Sequence, residues 1–155
     1  MAEQPEPEAG RHGVTITRIF DAPRERVWRE WTEPEAFADW YGGADADVPL
    51  EGVSMDVRPG GALRATMYFG PERREIRWSG EFQVVEAPER LVFTITDRPE
   101  MDRFELVTVE LTDLGDGRTE MRFEQRGWMQ PEDYERTGAG WGVFFDRMSE
   151  RLATA

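Results

Sequence analysis

Between Gly43 and Gly127 the chain offers strand patterns and no helix pattern. Leu63, Ala65, Met67 and Phe69 alternate with polar neighbours. Ile76, Trp78, Gly80, Phe82 and Val84 do the same, as do Val107, Val109 and Leu111, and then Thr119, Met121 and Phe123. An apolar residue at every second position is the signature of a strand with one buried face. Val48 to Val57 and the run LVFTITD from Leu91 to Asp97 read as two further strand regions. Pro59-Gly60-Gly61, Gly70-Pro71, Ala87-Pro88-Glu89-Arg90 and Gly115-Asp116-Gly117 punctuate these runs with turn residues. Strands joined by such short turns pair antiparallel. Gly80, inside a strand pattern, predicts a bulge or a sharp bend.

Helical patterns lie only at the two ends of this block. Val14 to Phe20 (VTITRIF) is a first strand, and Pro23 then sets the φ of a helical first turn. Val27, Trp28 and Trp31 form the apolar side of a short helix. Thr32-Glu33-Pro34-Glu35 has capping-box spacing and predicts a second one, carrying Phe37, Trp40 and Tyr41 and ended by Gly42-Gly43. The last helix starts near Pro131. Tyr134, Trp141, Phe145, Met148 and Leu152 fall at spacings of seven, four, three and four, a single stripe along one face. Gly138, Gly140 and Gly142 interrupt it, at about 1 kcal/mol each relative to alanine. Such a cost predicts a bend or a close approach. The order of strand, two short helices, six strands and a long helix is an α+β arrangement with the helices on one face of the sheet.

The length, 155 residues, suits one domain with a substantial core. Residues 1–12, acidic and proline-rich, read as a disordered tail, and 13–155 as the domain. A net charge of −13 argues against nucleic acid and against anionic membranes as partners. It also disfavours an anionic substrate unless arginines cluster locally. There is no cysteine, which excludes disulfides, thiolate metal sites and a cysteine nucleophile. All 19 basic residues are arginine, so lysine chemistry is excluded as well. No apolar run approaches a membrane span, and the N-terminus has no secretory signal pattern; the expected location is the cytoplasm.

Several short pieces, in order, resemble the helix-grip fold of the START and Bet v 1-like (SRPBCC) superfamily. Within it the chain is similar to the activator of Hsp90 ATPase homologue 1-like (AHSA1-like) family. The pieces are Arg18-Ile19-Phe20-Asp21-Ala22-Pro23 with Val27-Trp28, Trp31-Thr32-Glu33-Pro34-Glu35 with Trp40, and Asp56-Val57-Arg58-Pro59-Gly60-Gly61. They continue with Gly80-Glu81-Phe82, Pro88-Glu89-Arg90-Leu91-Val92-Phe93, Thr119 and Gly140-Trp141. The resemblance spans about Val14 to Leu152. It implies a curved antiparallel sheet wrapped around the long C-terminal helix, with a cavity between them in which related members hold lipids, hormones or polyketides. The separate chaperone-binding domain of the name-giving co-chaperones has no counterpart here, so the resemblance lends a co-chaperone role little support.

The chemistry-bearing residues are few. His12 is the only histidine and falls in the expected tail, so neither a histidine triad nor a histidine metal site can be assembled. Asp45 and Asp47 lack the rest of a calcium-loop pattern, and Ser54, Ser79 and Ser149 sit in no nucleophile elbow. No catalytic residue, metal or cofactor is therefore assigned. Parity turns Glu81 and Glu124 away from the cavity side and leaves Gln125 on it, in step with Met121 and Phe123. Trp40, Met67, Phe69, Trp78, Phe82, Met121, Phe123, Gln125, Trp128, Trp141, Phe144 and Phe145 form the candidate ligand-binding set. Tryptophan and methionine suit irregular apolar ligands. The leading expectation is an internal hydrophobic cavity for a small apolar or aromatic molecule. A polyketide cyclase or aromatase-like enzyme using the same cavity is the second, and a chaperone-associated interaction domain the third. A homodimer is compatible with all three.

Overall fold

The computed structural model describes residues 12–101 and 103–153. In chain order the elements are β1 (His12–Phe20), α1 (Arg24–Thr32), α2 (Pro34–Trp40), β2 (Ala46–Asp47), β3 (Val53–Met55), β4 (Ala62–Phe69), β5 (Arg74–Glu86), β6 (Arg90–Ile95), β7 (Glu105–Gly115), β8 (Arg118–Gly127) and α3 (Pro131–Ala153). The strands form one antiparallel sheet in the order β1-β8-β7-β6-β5-β4-β2, with β3 also paired to β4. The curved sheet and the long terminal helix make the expected α+β helix-grip architecture.

Inward and outward positions follow the alternation. On β8, Thr119, Met121, Phe123 and Gln125 are buried, while Arg122 and Arg126 are exposed and Glu124 pairs with Arg126 on the outer face. On β7, Val107, Val109 and Leu111 face the core. Gly80 marks the bend in β5. Up to Glu81 this strand pairs with β4, and from Phe82 it pairs with β6, with a register shift between Phe82 and Val84. A Cβ at Gly80 would lie 1.7 Å from the carbonyl oxygen of Thr94. Only glycine permits that crossing of backbones.

Three local expectations are corrected. Val48 to Val57 is not one strand. Pro49, which has no N–H for a ladder, begins a 3-10 turn at Leu50–Gly52, and only β2 and β3 on either side of it pair with β4. The capping box does not form. Thr32 Oγ1 donates back to the carbonyl of Trp28 at 2.9 Å, and Glu33, with no side-chain cap, precedes Pro34 at the first turn of α2. His12 belongs to β1, opposite Gly127 on β8; the remainder of the expected tail, 1–11, lies outside the described residues.

Helix α3 is continuous through its three glycines. Gly138 faces β1, where a Cβ would come within 2.8 Å of Val14 Cγ2. At Gly142, Arg18 donates to the backbone carbonyl at 3.0 Å and pairs with Asp146 at 2.9 Å. At Gly140 an added Cβ meets nothing within 4 Å. Close approach explains the first of these glycines. Open space surrounds the side-chain position of Gly140.

Candidate ligand pocket

The space between α3 and the sheet is filled at one end and hollow at the other. At the filled end Trp31 of α1 is the hub. Its ring centroid lies 4.8 Å from that of Trp40, 6.0 Å from Phe145 and 6.2 Å each from Phe93, Phe123 and Trp141. Trp141 and Phe123 approach to 4.6 Å. Edge-to-face and tilted contacts of this kind add to the stabilisation from burial. Trp40 Nε1 donates to the carbonyl of Glu30 at 2.7 Å. The Glu30 side chain, itself buried, accepts from Arg151 at 2.8 Å. That pair joins α1 to α3 in place of an unpaired buried carboxylate.

The hollow lies under the N-terminal half of α3. It is a pocket of about 540 Å³, within the range of small-molecule sites. Thr137, Gly140, Trp141 and Phe144 form its helix wall, and Trp78, Ile95 and Gln125 its sheet wall. Tyr41, just after α2, closes one side. The mouth is made by two connections. Thr96, Asp97, Arg98, Met101 and Arg103 come from the chain between β6 and β7, and Trp128 and Met129 from the chain between β8 and α3. The Arg103 guanidinium sits over the Trp128 ring at 5.2 Å and links the two connections.

One polar network holds this end together. Glu105, at the start of β7, accepts at Oε1 from Gln125 Nε2 (3.0 Å) and from the Tyr134 hydroxyl (2.6 Å). Its Oε2 accepts from the Trp128 N–H at 3.0 Å. Gln125 Oε1 accepts from Trp141 Nε1 at 2.8 Å, and the Tyr134 oxygen accepts the Met129 N–H at 3.4 Å. A Cβ at Gly127 would lie 2.0 Å from Glu105 Oε2, so glycine there makes room for the carboxylate. Burial pushes the Tyr134 pKa above the ordinary tyrosine value, and the hydrogen bond to Glu105 pushes it further. Burial also raises that of Tyr41, with a second contribution from the charge of Asp97. Both phenols are therefore neutral through the physiological range. Among the described residues no group of three His, Cys, Asp or Glu is arranged to hold a metal ion, and no helix is long and apolar enough to cross a membrane.

The twelve candidate residues divide by place. Trp78, Gln125, Trp128, Trp141 and Phe144 line the pocket. Trp40, Met67, Phe82, Met121, Phe123 and Phe145 are buried in the packed core and do not border it. Phe69, at the end of β4, is partly exposed and away from it. Tyr41, Glu105 and the mouth residues other than Trp128 were absent from the candidate set. Glu105 was legible by parity, because it is in step with Val107, Val109 and Leu111 on the inner face of β7. The mouth residues come from irregular connections, where no period marks which side chains converge.

Among curated proteins none matches this chain. Solved structures do. A Chromobacterium violaceum protein superposes with a TM-score of 0.80 at 22% identity, covering 92% of this chain and 97% of that one. An Arthrobacter aurescens protein gives 0.77 at 23% identity over 92% and 87% of the two chains. The AHSA1 protein of Silicibacter pomeroyi gives 0.77 at 17% identity, covering 92% and 98%. At these identities the likeness is one of fold. The sequence model described as activator of Hsp90 ATPase homolog 1-like protein matches residues 21–153, and with the helix-grip architecture this places the chain in the AHSA1-like family of the SRPBCC superfamily.

Proposed function

We propose that this chain is a small-molecule binding domain, and that the pocket under the N-terminal half of α3 takes an apolar, ring-bearing ligand. The observation that carries this reading is the pairing of open volume with aromatic walls. Tyr41, Trp78, Trp128, Trp141 and Phe144 surround about 540 Å³ beside a helix position that lacks a side chain. Flat aromatic walls offer large contact area and favour ring-bearing guests. The family and fold are in keeping with ligand binding. A catalytic reading requires an ionisable group free to reach the guest. Of the two carboxylates among the described lining residues, Glu105 has its oxygens occupied by three protein donors, and Asp97 is exposed at the rim, away from the aromatic walls' interior contacts with Gln125. Binding is thus the better-supported function.

The test uses Gly140→Leu. A side chain at this position projects into empty space, and leucine is a better helix former than glycine. N-phenyl-1-naphthylamine, a neutral two-ring fluorophore, serves as probe in fluorescence titration and thermal shift. The expected result is saturable binding that raises the Tm of the unaltered chain and is lost in Gly140→Leu, whose own Tm is not lowered. Probe binding that persists in a folded Gly140→Leu variant places the guest elsewhere and overturns the reading.

A further inference from the structure

The mouth of the pocket carries charge that the rest of the fold does not use. Many arginines of this acidic chain are ion-paired, Arg18, Arg58, Arg73, Arg77, Arg118, Arg126 and Arg151 among them, while Arg26, Arg29, Arg64 and Arg74 have no carboxylate partner among the described residues. Arg98 and Arg103 both line the mouth, and among the described residues neither has a carboxylate within ion-pairing distance. Among the described residues the one interaction of the Arg103 guanidinium is with the face of Trp128, and its N–H donors have no acceptor there. Among the described residues two carboxylates share the rim. Glu105 has both oxygens filled by Gln125, Tyr134 and Trp128. Asp97 lies on the Tyr41 side, where its charge is felt by the phenol. Among the described residues the charged groups still open to a guest are therefore two cations and one anion, in a chain whose net charge is −13.

We infer that the guest is an acid: an apolar, ring-bearing body seated among Trp78, Trp141 and Phe144, with an anionic group at the mouth held by Arg98 and Arg103. This deepens the binding function proposed above and depends on it. Arginine suits the task because its planar fork can take a carboxylate or sulfonate by two parallel hydrogen bonds. The apolar end enters first, since Gln125 and Trp141 Nε1 are already bonded to one another and to Glu105; the buried Nε1–H of Trp78 on the sheet wall has no partner among the described residues.

Two probes separate the claims. 8-Anilino-1-naphthalenesulfonate shares the rings of N-phenyl-1-naphthylamine and adds a sulfonate. The quantity read is the ratio of the two affinities, with the Gly140→Leu variant marking pocket-specific binding. The sulfonate is expected to bind more tightly than the neutral probe, with an advantage that shrinks as salt is raised. Arg98→Gln combined with Arg103→Gln is expected to lower the ratio about ten-fold, and the matching pair of lysine substitutions to retain most of it. Neutral binding with a ratio that the glutamine pair does not change overturns the anionic guest and leaves the pocket function intact. Failure of both probes to bind in a Gly140→Leu-sensitive way overturns the two together.

Discussion

The two halves of α3 carry one apolar stripe and do different work with it. In the C-terminal half Phe145, Met148 and Leu152 are fully buried against Trp31 and its neighbours. Charged contacts close the periphery: Arg151 binds Glu30 and Asp39, Arg147 binds the carbonyl of Asp39, and Arg26 donates to the carbonyl of Leu152 at 3.1 Å. The last of these satisfies a carbonyl that helix termini leave open. In the N-terminal half the stripe narrows to Tyr134 and Trp141, glycines replace side chains, and a chain of hydrogen bonds through Glu105 and Gln125 takes the place of close packing. One half is held by volume and the other by direction. A periodic pattern alone does not distinguish them.

The comparison can be broken by substitution. Phe145→Ala, in the filled half, is expected to cost about 3–5 kcal/mol. Phe144→Ala, one residue away on the pocket wall and only partly buried, is expected to cost less than about 2 kcal/mol. Urea unfolding of the pair measures the difference. Equal losses would mean that both halves are packed alike.

Alkali probes the hollow half next. Tyr41 and Tyr134 ionise at higher pH in the folded chain than in the unfolded one. Their protonated forms therefore support the fold fully below the unfolded tyrosine pKa of about 10. Above it the unfolded chain releases protons that the folded chain keeps, and stability falls by up to about 1.4 kcal/mol per pH unit for each such group. Tyr41→Phe should flatten this decline above about pH 10 and leave stability at neutral pH without such a slope, as read by denaturant midpoints on both sides of that pH. An unchanged slope would remove Tyr41 from the account.

The smallest effect concerns the glycines. Gly140→Ala is expected to stabilise by about 1 kcal/mol, the helix-propensity gain with no steric cost. Gly138→Ala should give clearly less, because its methyl must displace the stiff, β-branched Val14 side chain. If the two gains are equal, β1 does not constrain α3 at that point, and the contrast between Gly138 and Gly140 is lost.

The architecture was largely legible because the signals behind it are local. Alternation on β4, β7 and β8, the turn at Gly115-Asp116-Gly117 and the start of α3 at Pro131 all belong to short stretches of chain. The bend at Gly80 was legible for the same reason, as a glycine inside an apolar alternation. The division between core and pocket was not. Met67, Phe82, Phe123 and Trp78 share the inward parity, yet only Trp78 lies where α3 stands off from the sheet. Parity encodes the face of a strand and not the distance to what covers it. Thr32 failed as a cap for a related reason: its hydroxyl had a nearer acceptor in the preceding turn.

Glu105 gives the pocket a property beyond its shape. Its donors come from β8, from the connection after it and from the first turn of α3, while the carboxylate itself sits on β7. These segments meet only when the last helix has docked, and hydrogen-bonded networks of this kind are cooperative. A chain truncated before α3, or caught with the helix undocked, has sheet and apolar surface but no site. Retention of a bound guest would then certify a finished molecule in a way that secondary-structure content does not.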